Sequence, residues 1–287
     1  MRWRTTFGVF LTSVLSLGLW AFVYEPSSFS VRRYELAPPG WPRELDGFEV
    51  ALLADIHVGS PYRGLDKLRE IVRETNAAAP DLVVLAGDYV IDSVLGGTFV
   101  APEELAPILG ELQAPLGVYA VLGNHDWWLD GDRVEEALVA AGIRVLRDEA
   151  VELSGVWLVG LGDWEEAPPD VRKALSAVDD TSPVLAFTHN PDVFPTVPAR
   201  VSLTLAGHTH GGQVRFPWLG TPIVPSRYGQ RYARGHIVED DRHLFVTSGL
   251  GTSIIPVRFA VPPEIALLRL SADVPNAPPV SSRIFDP

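Results

Sequence analysis

The sequence predicts an α/β fold in which two packed, mainly mixed β-sheets are flanked by helices, with a separate hydrophobic helix at the N-terminus. Three observations carry this reading. Short apolar runs alternate with helix-period segments through the first half of the chain, the second half leans towards strands, and an uncharged stretch opens the sequence.

The opening stretch runs from Thr5 to Tyr24, after Arg2 and Arg4, and ends at Glu25. Roughly 20 helical residues span a bilayer core of about 30 Å. Trp3 lies near one end and Trp20 and Tyr24 near the other, where amphipathic aromatics suit the lipid–water boundary. Residues 1–25 therefore read as a membrane anchor. A cleaved signal peptide is the rival, although Leu19-Trp20-Ala21 makes a poor cleavage site. Arg2 and Arg4 favour a cytoplasmic N-terminus with the main domain extracytoplasmic, and Arg32 and Arg33 weaken that bias. Residues 26–44, with the Pro- and Gly-rich Ala37–Pro42, read as a connector.

From residue 45 to 272 one catalytic domain is expected. Phe48–Ala54, Asp81–Ala86 and Gly117–Leu122 read as buried strands, and Gly64–Ala78, Pro102–Leu112 and a segment around Arg133–Ala141 as helices. Further strands are expected at Val151–Leu153, Val156–Leu161, Val184–Thr188, Ser202–Ala206, His236–Val238, Leu244–Thr247 and Ile265–Leu270. Asp170–Ala177 reads as a helix, and residues 273–287 as an irregular tail.

The net charge of −13 argues against nucleic acid as a partner, since no general positive field exists to hold a phosphate backbone. Cysteine is absent, which excludes disulfides, thiolate nucleophiles and sulfur-ligated metals.

Polar residues cluster where the strands stop. Asp55 and His57 follow the first, Asp88 the second, and Gly123-Asn124-His125-Asp126 the third; later come His189 and Gly207-His208-Thr209-His210-Gly211-Gly212-Gln213. Open α/β sheets gather ligands at the carboxyl ends of their strands, so these loops can converge. Carboxylate with imidazole suits Mn, Fe or Zn better than Ca. Any one of these pieces is more often an ordinary hydrogen-bonded residue; five in order, each after a strand, are not. His236 and His243 fall outside the loops and read as structural or surface residues.

The ordered set D-x-H, G-D, G-N-H-D, H and G-H-x-H resembles the calcineurin-like metallophosphoesterase superfamily. The longer string from Gly207 to Gln213 is similar to its membrane-associated YkuE- and YaeI-like branch, which includes UDP-2,3-diacylglucosamine pyrophosphatase-like enzymes. The resemblance implies the metallophosphoesterase sandwich and two divalent ions, Mn first, with Zn or Fe as alternatives. It makes Asp55, His57 and His210 ligands of one ion, Asn124, His189 and His208 ligands of the other, and Asp88 the bridge. It implies that His125 contacts the phosphate and protonates the leaving oxygen. Ile91 stands where purple acid phosphatases place a tyrosine, so no tyrosinate–iron site is expected.

Two such ions lower the pKa of a water and neutralise phosphoryl charge during in-line attack. Asp126 reads as a residue that orients the ligands. Asp92, Asp163 and Trp164 either border the pocket or are plain loop residues, and Gln213 and Arg215 are candidates for substrate contact. Pro217–Arg234 reads first as a packed loop, with a membrane-dipping or lipid-covering loop as the alternative. The expected function is a metal-dependent phosphodiesterase near the membrane, acting on a phosphorylated small molecule or a lipid-linked substrate, with membrane lipid as a partner. A pyrophosphatase of the UDP-diacylglucosamine type ranks second, because its substrate requires cytoplasmic access. A metal-stabilised scaffold ranks last.

Overall fold

The computed structural model describes residues 2–91, 93–179 and 181–273; Asp92 and residues 274–287 of the expected tail lie outside the described residues. The chain opens with α1 (Arg2–Leu19), a π-helical turn at Trp20–Tyr24 and a last turn, α2 (Glu25–Ser27). Thr6–Ser27 is long and apolar enough to cross a membrane, and almost all of it is exposed.

The strands are β1 (Ser30–Leu36), β2 (Phe48–Leu53), β3 (Leu82–Ala86), β4 (Val118–Val121), β5 (Arg144–Val145), β6 (Glu149–Leu153), β7 (Val156–Gly160), β8 (Val184–Phe187), β9 (Leu203–Ala206), β10 (Gly235–Glu239), β11 (Arg242–Val246) and β12 (Glu264–Leu270). They form two sheets, ordered β1-β12-β2-β3-β4-β5 and β10-β11-β9-β8-β7-β6. The runs β2-β3-β4 and β7-β8-β9 are parallel, with antiparallel pairs at β12-β2, β6-β7 and β10-β11.

Period-two alternation sorts the side chains between layers. Val50, Leu52, Val84 and Val121 of the first sheet meet Leu158, Leu185, Phe187 and Leu205 of the second in a sealed inter-sheet core. The opposite face of the first sheet, with Ala51, Leu53, Val83 and Leu85, packs under α3 (Leu65–Ala77), α4 (Pro102–Leu109) and α5 (Asn124–Ala140). Central parallel strands covered on both faces read as unbroken apolar runs, as β3 and β8 do. Each Val, Leu or Phe side chain so removed from water contributes about 1.5–3 kcal/mol.

Three expectations need revision. Ser30–Leu36, expected as connector, is strand β1, paired in parallel with β12. The third helix begins at Asn124 and not near Arg133, with a break at Asp130 (φ 175°, ψ 95°). The helix expected at Asp170–Ala177 is a single turn, α6 (Val171–Ala174).

The N-terminal helix is joined to the domain by polar contacts. Glu25 is buried; its Oε1 accepts the Val261 N–H at 2.6 Å and its Oε2 accepts those of Ala260 and the Trp20 indole. The Arg258 N–H donates to the Ala21 carbonyl at 2.9 Å.

Candidate metal centre

Every candidate site residue lies just beyond the carboxyl end of a parallel strand. Asp55 and His57 follow β2, Asp88 follows β3, Asn124 and His125 follow β4, His189 follows β8, and His208 and His210 follow β9. The two parallel runs point these ends at one edge of the sandwich. Asp55, His57, Asp88, His208 and His210 all have positive φ, between 47° and 68°. Such backbone costs on the order of 1–3 kcal/mol per residue and persists where the surroundings over-determine it.

Two clusters of donor atoms result. In the first, His57 Nε2 lies 3.2 Å from His210 Nε2, His210 Nε2 lies 3.5 Å from Asp55 Oδ1, and His57 Nε2 lies 3.5 Å from Asp88 Oδ2. In the second, Asn124 Oδ1, His189 Nε2 and His208 Nδ1 form a triangle with sides of 3.0, 3.1 and 3.1 Å. Asp88 Oδ2 closes it, 3.3 Å from His189 Nε2, and so stands between both clusters.

These donors fit divalent ions. Bonds of about 2.1 Å in tetrahedral or octahedral geometry space donors roughly 3.0–3.4 Å apart. Nitrogen facing nitrogen at 3.1–3.2 Å can be bridged by one ring N–H, and the same spacing fits the edge of a coordination polyhedron. Rings are aimed from behind: His57 Nδ1 donates to the Val90 carbonyl at 3.2 Å and His189 Nδ1 to that of Ala86 at 2.8 Å, leaving each Nε2 free for a cation. Asp55, His57 and His210 form a group that could hold an ion, as do Asp55, Asp88 and His189. His125 also comes within reach of His57 and Asp88, so donor distances alone do not separate it from the ligands.

Electrostatics agree with that fit. Burial lowers His57 and His208 to about 3 and drives His210 well below its usual range, so these rings are neutral with lone pairs available. Burial raises Asp55 to about 7, with the Asp88 carboxylate adding to it. Burial opposes ionisation at Asp88 and His189 too, yet their mutual attraction prevails: Asp88 is held well below the carboxylate range and His189 is lifted to about 10. The proton on His189 occupies the place where a cation would balance the buried carboxylates.

Asp126 ties the site loops together. Its carboxylate accepts the N–H groups of Asp88 at 2.8 Å, Tyr89 at 2.9 Å, Gly123 at 2.9 Å and Val90 at 3.3 Å. Gly123 has to be glycine, since a Cβ there would lie 2.2 Å from Asp88 Oδ1. Asp55 in turn accepts the His208 N–H at 2.9 and 3.0 Å, joining the first sheet's loops to the second's.

The donors open into a cavity of about 710 Å³. His125 and Trp128 line it, their rings 4.6 Å apart, and His125 Nδ1 is buried with no hydrogen-bond partner. Gln213 is on the wall, whereas Arg215, also a candidate for substrate contact, is not among the lining residues. Asp163 is buried and accepts the N–H groups of Glu165 and Glu166; Trp164 lies under the Arg227 guanidinium, 5.1 Å away. His236 and His243 sit together on the β10–β11 hairpin, 3.1 Å apart. Trp128 and Arg227 escaped the sequence reading. The first was within reach, three residues after His125 on one helix, and the second carried no spacing signal.

The family model for the calcineurin-like phosphoesterases matches residues 48–212. The chain is 32% identical to the uncharacterized metallophosphoesterase YkuE of Bacillus subtilis, covering 93% of this chain and 95% of that one. It is 32% identical to the phosphodiesterase YaeI of Escherichia coli (86% and 90% covered), and 27% identical to the UDP-2,3-diacylglucosamine pyrophosphatase LpxG of Chlamydia trachomatis (90% and 95% covered).

Proposed function

The chain belongs to the calcineurin-like phosphoesterase family, and from that premise we propose that it is a two-metal phosphodiesterase acting beside a membrane. Asp55, His57 and His210 hold one ion, Asn124, His189 and His208 the other, and Asp88 joins them. The observation that carries this reading is Asp88 Oδ2, within 3.5 Å of His57 Nε2 and 3.3 Å of His189 Nε2, one donor from each cluster. When bound, the two ions supply Lewis-acid charge to the phosphoryl oxygens and a lowered pKa for the attacking water.

The chain's own residues do the rest. His125 lines the cavity beside the donor clusters and is the residue that hands a proton to the leaving oxygen. Its ring is fixed between His57, at 4.7 Å, and Trp128, at 4.6 Å. It also sits in the first turn of α5, where its own N–H is held by Asp88 Oδ1 at 2.9 Å. Trp128 gives the leaving group an apolar wall. Asn124 contributes a neutral oxygen, which limits the negative charge facing an anionic ester.

A second reading, hydrolysis of a phosphoanhydride in the manner of the named pyrophosphatase relative, draws support from Arg227. Its guanidinium lies over Trp164 at the cavity wall, placed to meet a second phosphate. Hydrolysis of bis-p-nitrophenyl phosphate, p-nitrophenyl phosphate and a nucleoside diphosphate-linked lipid separates the two. Diester cleavage that needs added Mn and is lost in Asp88→Asn supports the first reading; turnover of the anhydride alone replaces it with the second.

A further inference from the structure

Two loops bordering the cavity expose apolar side chains that the fold does not need. Trp218 is 93% exposed, Ile223 80% and Ile254 72%, and Phe216, Leu219 and Ile255 are exposed beside them. The packed loop expected over Pro217–Arg234 is therefore not what forms at its tip. Ile223 and Ile254 line the mouth of the cavity. Trp218 and Ile254 also have positive φ, 66° and 62°. Bulky and β-branched residues adopt that backbone at a cost, so exposure and strain fall on the same side chains.

The rim is continuous with the N-terminal helix. The Arg215 N–H donates to the Phe259 carbonyl at 2.8 Å, and the Phe216 and Phe259 rings lie 5.8 Å apart. On either side of Phe259, the Arg258 N–H reaches the Ala21 carbonyl and the Ala260 N–H reaches Glu25. One short segment thus touches both the exposed rim and the end of the only helix, among the described residues, that is long and apolar enough to cross a bilayer.

Charge follows the same division. Residues 193–238 and 242–263 contain no Asp or Glu, in a chain of net charge −13. An apolar, aromatic-tipped rim whose own segments carry Arg215 and Arg227 and no acid complements a bilayer surface, while Glu165 and Asp192 line the cavity it borders.

We infer that the loops 214–224 and 253–259 dock on the bilayer that holds the N-terminal helix, and present the cavity to phosphoesters carrying acyl chains. This rests on the phosphodiesterase reading for the substrate class, and on surface chemistry alone for docking. Trp218 and Leu219 enter the lipid boundary, while Ile223 and Ile254 form an apolar path from it into the cavity.

The absence of cysteine makes the test direct. Trp218→Cys and, as control, Val139→Cys at the far end of α5 are labelled with an environment-sensitive fluorophore in the full-length, Mn-loaded protein. Both are placed in phosphatidylcholine–phosphatidylglycerol vesicles containing a doxyl-lipid quencher. Strong quenching is expected at 218 and little at 139. Equal quenching at the two positions overturns the docking, as does a doubled mass that buries 218 against a second copy. Trp218→Asn with Leu219→Ser, the first suited to the positive φ, leaves bis-p-nitrophenyl phosphate turnover unchanged. It lowers turnover of vesicle-borne phosphatidyl-p-nitrophenol by roughly tenfold. Equal turnover of the lipid ester by the variant and the parent overturns the presentation step. A parent inactive on both esters sinks the phosphodiesterase reading instead, and the quenching then decides docking by itself.

Discussion

The backbone N–H of His125 donates to Asp88 Oδ1 at 2.9 Å, while Asp88 Oδ2 faces His57 and His189. The two oxygens of one carboxylate therefore divide the work. One fixes the start of α5, and with it His125; the other stands between the two donor clusters.

This separation makes His125 removable without dismantling the ligands. His125→Ala is expected to keep its full metal content and lose about 100- to 10,000-fold in kcat. Metal analysis beside steady-state kinetics checks it, and unchanged kcat would remove the proton-donor role.

Asp126 works through backbone geometry. Asp126→Ala leaves the N–H groups of Asp88, Tyr89, Gly123 and Val90 without their acceptor. At about 1–3 kcal/mol for each of these buried donors, a loss of at least roughly 4 kcal/mol is expected. Denaturant unfolding reads it, with a lowered midpoint and an unchanged slope.

Gly123→Ala places a Cβ 2.2 Å from Asp88 Oδ1 and 2.8 Å from His189 Nδ1, so both groups must move. Metal affinity is expected to fall by at least about 10–100-fold, as for a lost orienting partner. Isothermal titration with Mn tests it, and wild-type affinity would show that the site tolerates the shift.

Metal loading carries a pH signature. Burial raises Asp55 to about 7; His189, despite burial, is raised to about 10 by Asp88. Both must shed a proton to receive a cation, so apparent affinity rises with pH. Below about 7 two protons leave and the slope is on the order of a hundredfold per unit; between about 7 and 10 one leaves and it is nearer tenfold. Calorimetry across that range measures it, and a flat profile would mean that neither group is protonated in the metal-free protein.

Much of this was legible because the parallel strands are short and mostly apolar: β2, β3 and β9 each stop within two residues of the polar residues of the candidate site. Strand β1 was not legible. Ser30–Leu36 carries Arg32, Arg33 and Glu35 on a half-covered edge strand, so its apolar pattern is faint. The early start of α5 was hidden by the break at Asp130. Contacts between segments far apart in sequence left no periodic trace at all. Examples are Arg227 over Trp164 and Glu25 on the 260–261 backbone, which only folding brings together.

Whether Asp88 joins two ions is read from the metal stoichiometry of the Mn-loaded protein, with its electron paramagnetic resonance spectrum, in wild type and Asp88→Asn. Two ions per chain are expected in the wild type with the signature of a coupled pair, and loss of the coupling in the variant. A single uncoupled ion in the wild type, bound with the same affinity after Asp88→Asn, would contradict the bridging role.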